Sequence, residues 1–210
     1  DSGGARQGRV SYAHSDDSLA LFTAGSERAR LDSSGKVGIG TTSPSAELDI
    51  TGTGEDISVR INAPTGYDAE LKFANNGSTA FTLGHDDATD NFVIGTANVD
   101  TNQRFVIDSS GKVGIGTTSP ATDLQIAASD TTSEIQFTHS GTGTGAGNGM
   151  WISANGNDFD IRNKEAGNTS LWTNNAERVT INSSGSVGIG TTSPAEILTL
   201  VASSGDCNLR

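Results

Sequence analysis

Along most of the chain, apolar and polar residues alternate one by one over three to five positions and then give way to Gly, Asn, Asp and Ser. The segments Ile57–Ile61, Leu71–Phe73, Phe81–Leu83, Phe92–Ile94, Ile135–Phe137 and Phe159–Ile161 all read this way. A period of two places every apolar side chain on one face of an extended strand, and turn-forming residues between such runs mark the connections. No stretch of a dozen residues shows a period of 3.6. The pattern therefore predicts an all-β chain of short strands and hairpins, with little or no helix.

A repeat organises the alternation. The octapeptide Val-Gly-Ile-Gly-Thr-Thr-Ser-Pro occurs at 37–44, 113–120 and 187–194, and its first glycines, Gly38, Gly114 and Gly188, fall 76 and 74 residues apart. Before each copy stands a turn, Asp32–Gly35, Asp108–Gly111 or Asn182–Gly185, and before each turn a strand whose lead-in holds Glu27-Arg28, Gln103-Arg104 or Glu177-Arg178. Gly111 falls where such a hairpin loop needs a left-handed residue. After each proline comes another alternating stretch, at Leu48–Ile50, Leu124–Ile126 and Leu198–Leu200.

The chain thus reads as a partial repeat at 1–44, complete repeats at 45–120 and 121–194, and the start of a further repeat at 195–210. Placing Leu198 on Leu48 carries Asp206 onto Asp56, Leu209 onto Val59 and Arg210 onto Arg60 without a gap. Leu21-Phe-Thr and Leu171-Trp-Thr lie 150 residues apart, the sum of both periods. Both ends therefore read as cuts through a longer array.

Each strand offers only two or three apolar residues. Burying one medium-sized apolar side chain stabilises by roughly 1.5–3 kcal/mol, while ordering one residue's backbone costs about 1–2 kcal/mol. A lone chain of this kind is close to break-even. Identical chains that pool their stripes around a common axis improve the balance, and repetition along the axis adds interfaces in series. Within Val37-Gly38-Ile39-Gly40 the apolar side chains share one face and the glycines the other, so the pattern predicts that a chain packs closely against the bare face.

Composition narrows the function classes. Only 33% of the 210 residues are hydrophobic and 27 are glycine, too lean for a large compact core. The net charge of −12 opposes binding to nucleic acid and to anionic membrane surfaces. No run of about 18 apolar residues predicts membrane insertion, and no signal peptide is visible at Asp1. The single Cys207 excludes an intrachain disulfide, and its alignment with Ile57 predicts a packing role.

The string Arg-x-x-Ile-Asp-Ser-Ser-Gly-Lys-Val-Gly-Ile-Gly-Thr-Thr-Ser-Pro at 104–120 resembles the repeats of bacteriophage tail-fibre shafts, those of marine and cyanobacterial phages in particular. Gly8–Tyr12, Ser15–Ser18 and Gly25–Arg28 resemble the segment that precedes it in such fibres. The resemblance implies an elongated homotrimeric β fibre on the virion, outside the cell, joined to other fibre or tail components and projecting a tip toward a host surface glycan or protein. Arg30 and Thr180 vary between copies and take no role from it.

Candidate chemistry is thin. Gly-x-Gly-Thr-Thr-Ser-Pro lacks the third glycine and the following helix of a phosphate site. His85-Asp-Asp-Ala-Thr-Asp-Asn91 holds carboxylates that suit a hard cation, but it departs from the twelve-residue calcium loop and reads as a solvated hairpin tip, like Ser15–Ser18 and Gly156–Asp158. His14, His85 and His139 lie in different segments without a nucleophile signature, and no pair among the 25 acids stands out for glycoside hydrolysis. Trp172 aligns with Phe22, which predicts a repeated core or interface position, whereas Trp151 is the candidate for stacking on a sugar. Glu27-Arg28 and Glu177-Arg178 read as surface or interchain ion pairs. The expectation is a non-enzymatic shaft segment with no catalytic, cofactor or metal residue of its own. A bacterial trimeric adhesin stalk and a polysaccharide-cleaving tailspike are the alternatives.

Overall fold

The computed structural model describes residues 8–52 and 56–202. The chain is all-β, with eighteen strands in four sheets and no helix among the described residues. It divides into two compact units, Asp1–Asn62 and Ala63–Arg210. The first holds one five-stranded sheet: β1 (Arg9–Ala13), β2 (Ser18–Thr23), β3 (Ser26–Leu31), β4 (Val37–Ile39) and β5 (Leu48–Ile50).

The second unit holds three sheets. One contains β6 (Ala69–Asn75), β7 (Ser78–Asp86), β8 (Asn91–Gly95), β9 (Gln103–Ile107), β10 (Val113–Ile115) and β11 (Leu124–Ile126). Another contains β12 (Thr132–Phe137), β13 (Met150–Asn155) and β14 (Asp158–Asn163). The last contains β15 (Thr169–Thr173), β16 (Ala176–Ile181), β17 (Val187–Ile189) and β18 (Leu198–Leu200). Strands follow one another across every sheet in chain order.

The octapeptide makes the same local structure three times. The preceding turn is closed by Asp32, whose carboxylate accepts from the Ser34 and Lys36 N–H groups at 2.9 Å, while Gly35 sits at φ +85°. Asp108 and Gly111 repeat this in the second copy, and Asn182 and Gly185 in the third. The turn joins β3 to β4 in antiparallel register, Arg30 opposite Gly38. The strand after the proline then returns parallel, with Val37 opposite Leu48 and Ile39 opposite Ile50. The Val37 N–H donates to Glu47 O, and the Thr51 N–H to Ile39 O, each at 2.8 Å.

Parallel neighbours ordinarily need a crossover of a dozen or more residues. Here residues 40–47 suffice, because the Thr-Thr-Ser-Pro turn folds directly over the strand it leaves. That geometry explains the glycines, with one change to the expected picture. A Cβ on Gly38 would lie 2.7 Å from Thr41 O, and one on Gly114 2.5 Å from Thr117 O, so the close approach comes from the same chain's own turn. Gly40, Gly116 and Gly190 are not part of the strand face at all. They bend the chain at φ +74°, +75° and +75°, beneath the carbonyls of Thr51, Ala127 and Val201.

Of the alternating segments, Ile57–Ile61 forms no strand, and its three apolar side chains are exposed. The others lie in β6, β7, β8, β12 and β14. Cys207, and the alignment of Asp206, Leu209 and Arg210 with the earlier repeat, lie outside the described residues.

Candidate functional site

Alternation along the strands sorts side chains by size as well as by polarity. In β2, Ser18 and Ala20 are buried while Leu19 and Leu21 are exposed; in β8, Asn91, Val93 and Gly95 are buried while Phe92 and Ile94 are exposed. The small residues lie beneath the chain's own loops. Val93, Val99 and Val106 form a fully buried cluster there, with Val99 supplied by the 96–102 loop. The large apolar residues line the opposite, open face.

Strand register assembles the large apolar residues of this face into rows, in which Leu83, Phe105, Ile126, Val179 and Leu200 are half-buried and the others exposed. Tyr12, Leu19, Leu31, Val37 and Leu48 lie opposite one another across all five strands of the first sheet. Leu71, Leu83, Ile94, Phe105, Ile115 and Ile126 do the same across six strands of the next. Ile135, Ile152 and Ile161 continue the theme in the third sheet, and Leu171, Val179, Ile189 and Leu200 in the fourth. Each sheet thus carries a row of large apolar residues on its open face, rather than apolar residues scattered singly. Trp172, 60% exposed, stands beside the row of the fourth sheet at a bulge between Leu171 and Trp172 that recurs between Leu21 and Phe22.

On the covered side of the β6–β11 sheet lies a polar hollow of about 500 Å³, lined by Asp86, Asp100, Gln103, Asp108, Thr118 and neighbouring residues. One carboxylate oxygen each from Asp68, Asp86 and Asp100 lies within 4.8 Å of the others. Desolvation, followed by the charges of Asp68 and Asp86, pushes the Asp100 carboxyl above its ordinary range. The segment His85–Asn91 does join β7 to β8 as a hairpin with His85 and residues 88–90 exposed, but Asp86 and Asn91 within the expected solvated tip are 2% and 5% exposed. Both oxygens of Asp86 are occupied: Oδ1 accepts from the Ala88 and Thr89 N–H groups, and Oδ2 from Thr89 Oγ1 and Gln103 Nε2. Its hydrogen bonds cap the turn, which accounts for the buried charge without a ligand.

The remaining candidates separate. Trp151 is 7% exposed, donates from Nε1 to Asn148 O at 2.9 Å and lies under Lys164 Nζ at 4.3 Å, so no ring face is presented to a sugar. Trp151 lacks an aligned aromatic, and nothing local in the sequence announces its lysine cover. His14 stacks edge-on against Tyr12, His85 Nε2 meets Asp90 Oδ1 at 2.8 Å, and His139 Nδ1 accepts from the Gly141 N–H. These are three separate local arrangements.

Glu27 forms its ion pair with Arg30 and not with its neighbour Arg28. Arg28 is the extra residue of a bulge in β3, where Leu21 stands opposite Ala29 and Phe22 opposite Glu27, and this bulge brings Glu27 and Arg30, three residues apart, onto one face: Glu27 holds Arg30 through Nε at 2.6 Å and Nη2 at 2.9 Å, while Arg28 donates to Thr23 Oγ1. Arg178 likewise donates to Thr173 Oγ1, leaving Glu177 Oε1 enclosed without a hydrogen-bond partner among the described residues. No protein-family model matches the chain, and no curated protein matches it either.

Proposed function

We propose that this chain is a segment of a trimeric fibre shaft on a phage virion, with the open apolar faces of three copies turned toward a common axis. The observation that carries the proposal is the position of the large apolar residues: they stand in register on the side of each sheet that the chain's own loops leave open. Covering apolar surface stabilises at roughly 25 cal/mol per Å², so the exposed rows supply a strong drive to associate. The number three rests on the likeness of 104–120 to fibre repeats.

Function then follows from mechanics rather than catalysis. A shaft must hold a host-recognising tip away from the particle, and stacked sheets of similar design do this without a reactive centre. Sedimentation equilibrium at neutral pH tests the proposal. It predicts a single species at three times the chain mass of 21.5 kDa. A monomer that retains its strand signal in circular dichroism contradicts it, and a dimer removes the three-fold axis.

A further inference from the structure

In an Asn-Gly dipeptide the glycine nitrogen can attack the side-chain amide before it, because no Cβ beside that nitrogen blocks the approach. The chain has three such dipeptides: Asn76-Gly77, Asn148-Gly149 and Asn155-Gly156. Their local chemistry is the same, but their surroundings are not. Gly149 is buried, and its N–H donates to Glu165 Oε1 at 2.5 Å. The Asn148 carbonyl is held as well, accepting from Trp151 Nε1 at 2.9 Å and Gln136 Nε2 at 3.0 Å. The Gly156 N–H donates to Thr131 O at 3.0 Å.

Asn76 and Gly77, by contrast, are the two exposed residues at the tip of the hairpin between β6 and β7, closed by the pair Asn75 and Ser78. The Gly77 N–H meets no acceptor among the described residues, and a Cβ placed on Gly77 would find no atom within 4 Å. Ring closure requires the peptide between the two residues to turn toward the side chain, out of the left-handed conformation that Asn76 holds at φ +49°. At this tip the turning breaks no hydrogen bond of the attacking amide and sweeps through open space. At the other two sites a hydrogen bond must open first, and the rate falls by the cost of that opening.

We propose that Asn76 is a site of spontaneous modification, at which attack by the Gly77 backbone nitrogen converts the side-chain amide to a carboxylate. Gly77 N bonds to Asn76 Cγ and gives its proton to solvent, while Nδ2 takes a proton from water and leaves as ammonia. Water then opens the resulting succinimide ring. Cleavage between Gly77 N and Cγ gives aspartate; cleavage between Gly77 N and the main-chain carbonyl carbon gives isoaspartate. Water is consumed and ammonia released, and no other reactant is needed. Either product adds a negative charge to the tip, and isoaspartate also lengthens the backbone between Asn75 and Ser78 by one carbon.

Peptide mass spectrometry of the full chain tests this, with fragmentation that separates aspartate from isoaspartate. One sample is aged folded at mildly alkaline pH and a parallel one in urea. Residue 76 should convert about ten-fold faster than residues 148 and 155 in the folded chain, and the three rates should come within about two-fold of one another in urea. Glu165→Ala, with its strand signal retained in circular dichroism, should speed conversion at Asn148 several-fold and leave Asn76 unchanged. Comparable rates at all three sites of the folded chain overturn the proposal. A ranking that survives in urea overturns it too, since sequence alone would then set the order. Aspartate without isoaspartate at residue 76 also overturns it, because direct hydrolysis of the amide bypasses the ring.

Discussion

In the first repeat, Glu27 of β3 grips Arg30 with both carboxylate oxygens, and Arg30 also reaches Asp16 at 3.6 Å. In the third, the same two positions of β16 are Glu177 and Thr180, and the Glu177 Oε1 and Thr180 Oγ1 atoms are both enclosed without partners among the described residues. The second copy has Gln103 and Val106 there; the Gln103 amide is drawn to Val99 O and Asp86, and its Oε1 is enclosed and unpartnered. Around these differences the backbone hardly changes. Turn, glycine strand and parallel return keep the same hydrogen-bond pattern in all three copies. The scaffold is set by backbone chemistry that tolerates no side chain, while the face above it is free to vary in charge.

The sharpest way to break that comparison is to attack what the copies share. Gly40→Val and Gly190→Val should each cost about 2–5 kcal/mol, because the left-handed backbone and the overlying carbonyl penalise the new side chain together. Urea unfolding of the two variants should give equal losses. A loss confined to one copy would show that the shared turn is not the common support. Gly77→Val is the milder control at about 1–2 kcal/mol, since Gly77 is left-handed but has open space around it.

Next come the positions that differ. Arg30→Thr should lower stability by about 1–2 kcal/mol by removing a charged, bidentate pair that is largely covered. Thr180→Arg should raise it by up to about 1 kcal/mol, as the new guanidinium finds the waiting Glu177 carboxylate. Opposite signs in thermal melts are the expected outcome; equal losses would mean that the third copy has repacked around threonine.

The smallest effect concerns acid. Asp49 follows the first octapeptide and accepts from the Ser45 N–H, the Ser45 hydroxyl and the Thr51 hydroxyl, which hold its carboxyl below the ordinary range. Its folded pKa lies below its unfolded one, so its contribution is complete above the ordinary carboxylate range and disappears as pH falls through the lowered value. The equivalent Thr199 accepts from the Glu196 N–H with a neutral hydroxyl. Asp49→Thr should therefore flatten the acid limb of the stability profile, and Thr199→Val should leave that limb's slope unchanged.

What was legible in the sequence follows from the range of the forces involved. The turn at Asp32–Gly35 and the strand alternation depend on neighbours within a few residues, and both stand where the pattern predicts them except at Ile57–Ile61, which alternates but forms no strand. Direction and pairing do not. Alternation in Leu48–Ile50 is the same whether the strand runs parallel or antiparallel, and that in Ile57–Ile61 does not reveal whether any edge receives it. The Glu27–Arg30 pair depends on the bulge at Arg28, which breaks the period of two and which alternation along the strand does not announce. Burial of Trp151 needs Lys164, which arrives from the far end of β14.

Sequential strand order also has a consequence for how the chain acquires its structure. Since each strand pairs with the one made just before or just after it, no sheet waits for a distant part of the polypeptide. Topologies dominated by such local closures search fewer loops and fold faster than sheets of comparable size with long-range pairings. A nascent chain could therefore complete one meander before the next leaves the ribosome. The array could likewise be lengthened or shortened by whole sheets over evolutionary time, with no strand needing to be threaded between older ones.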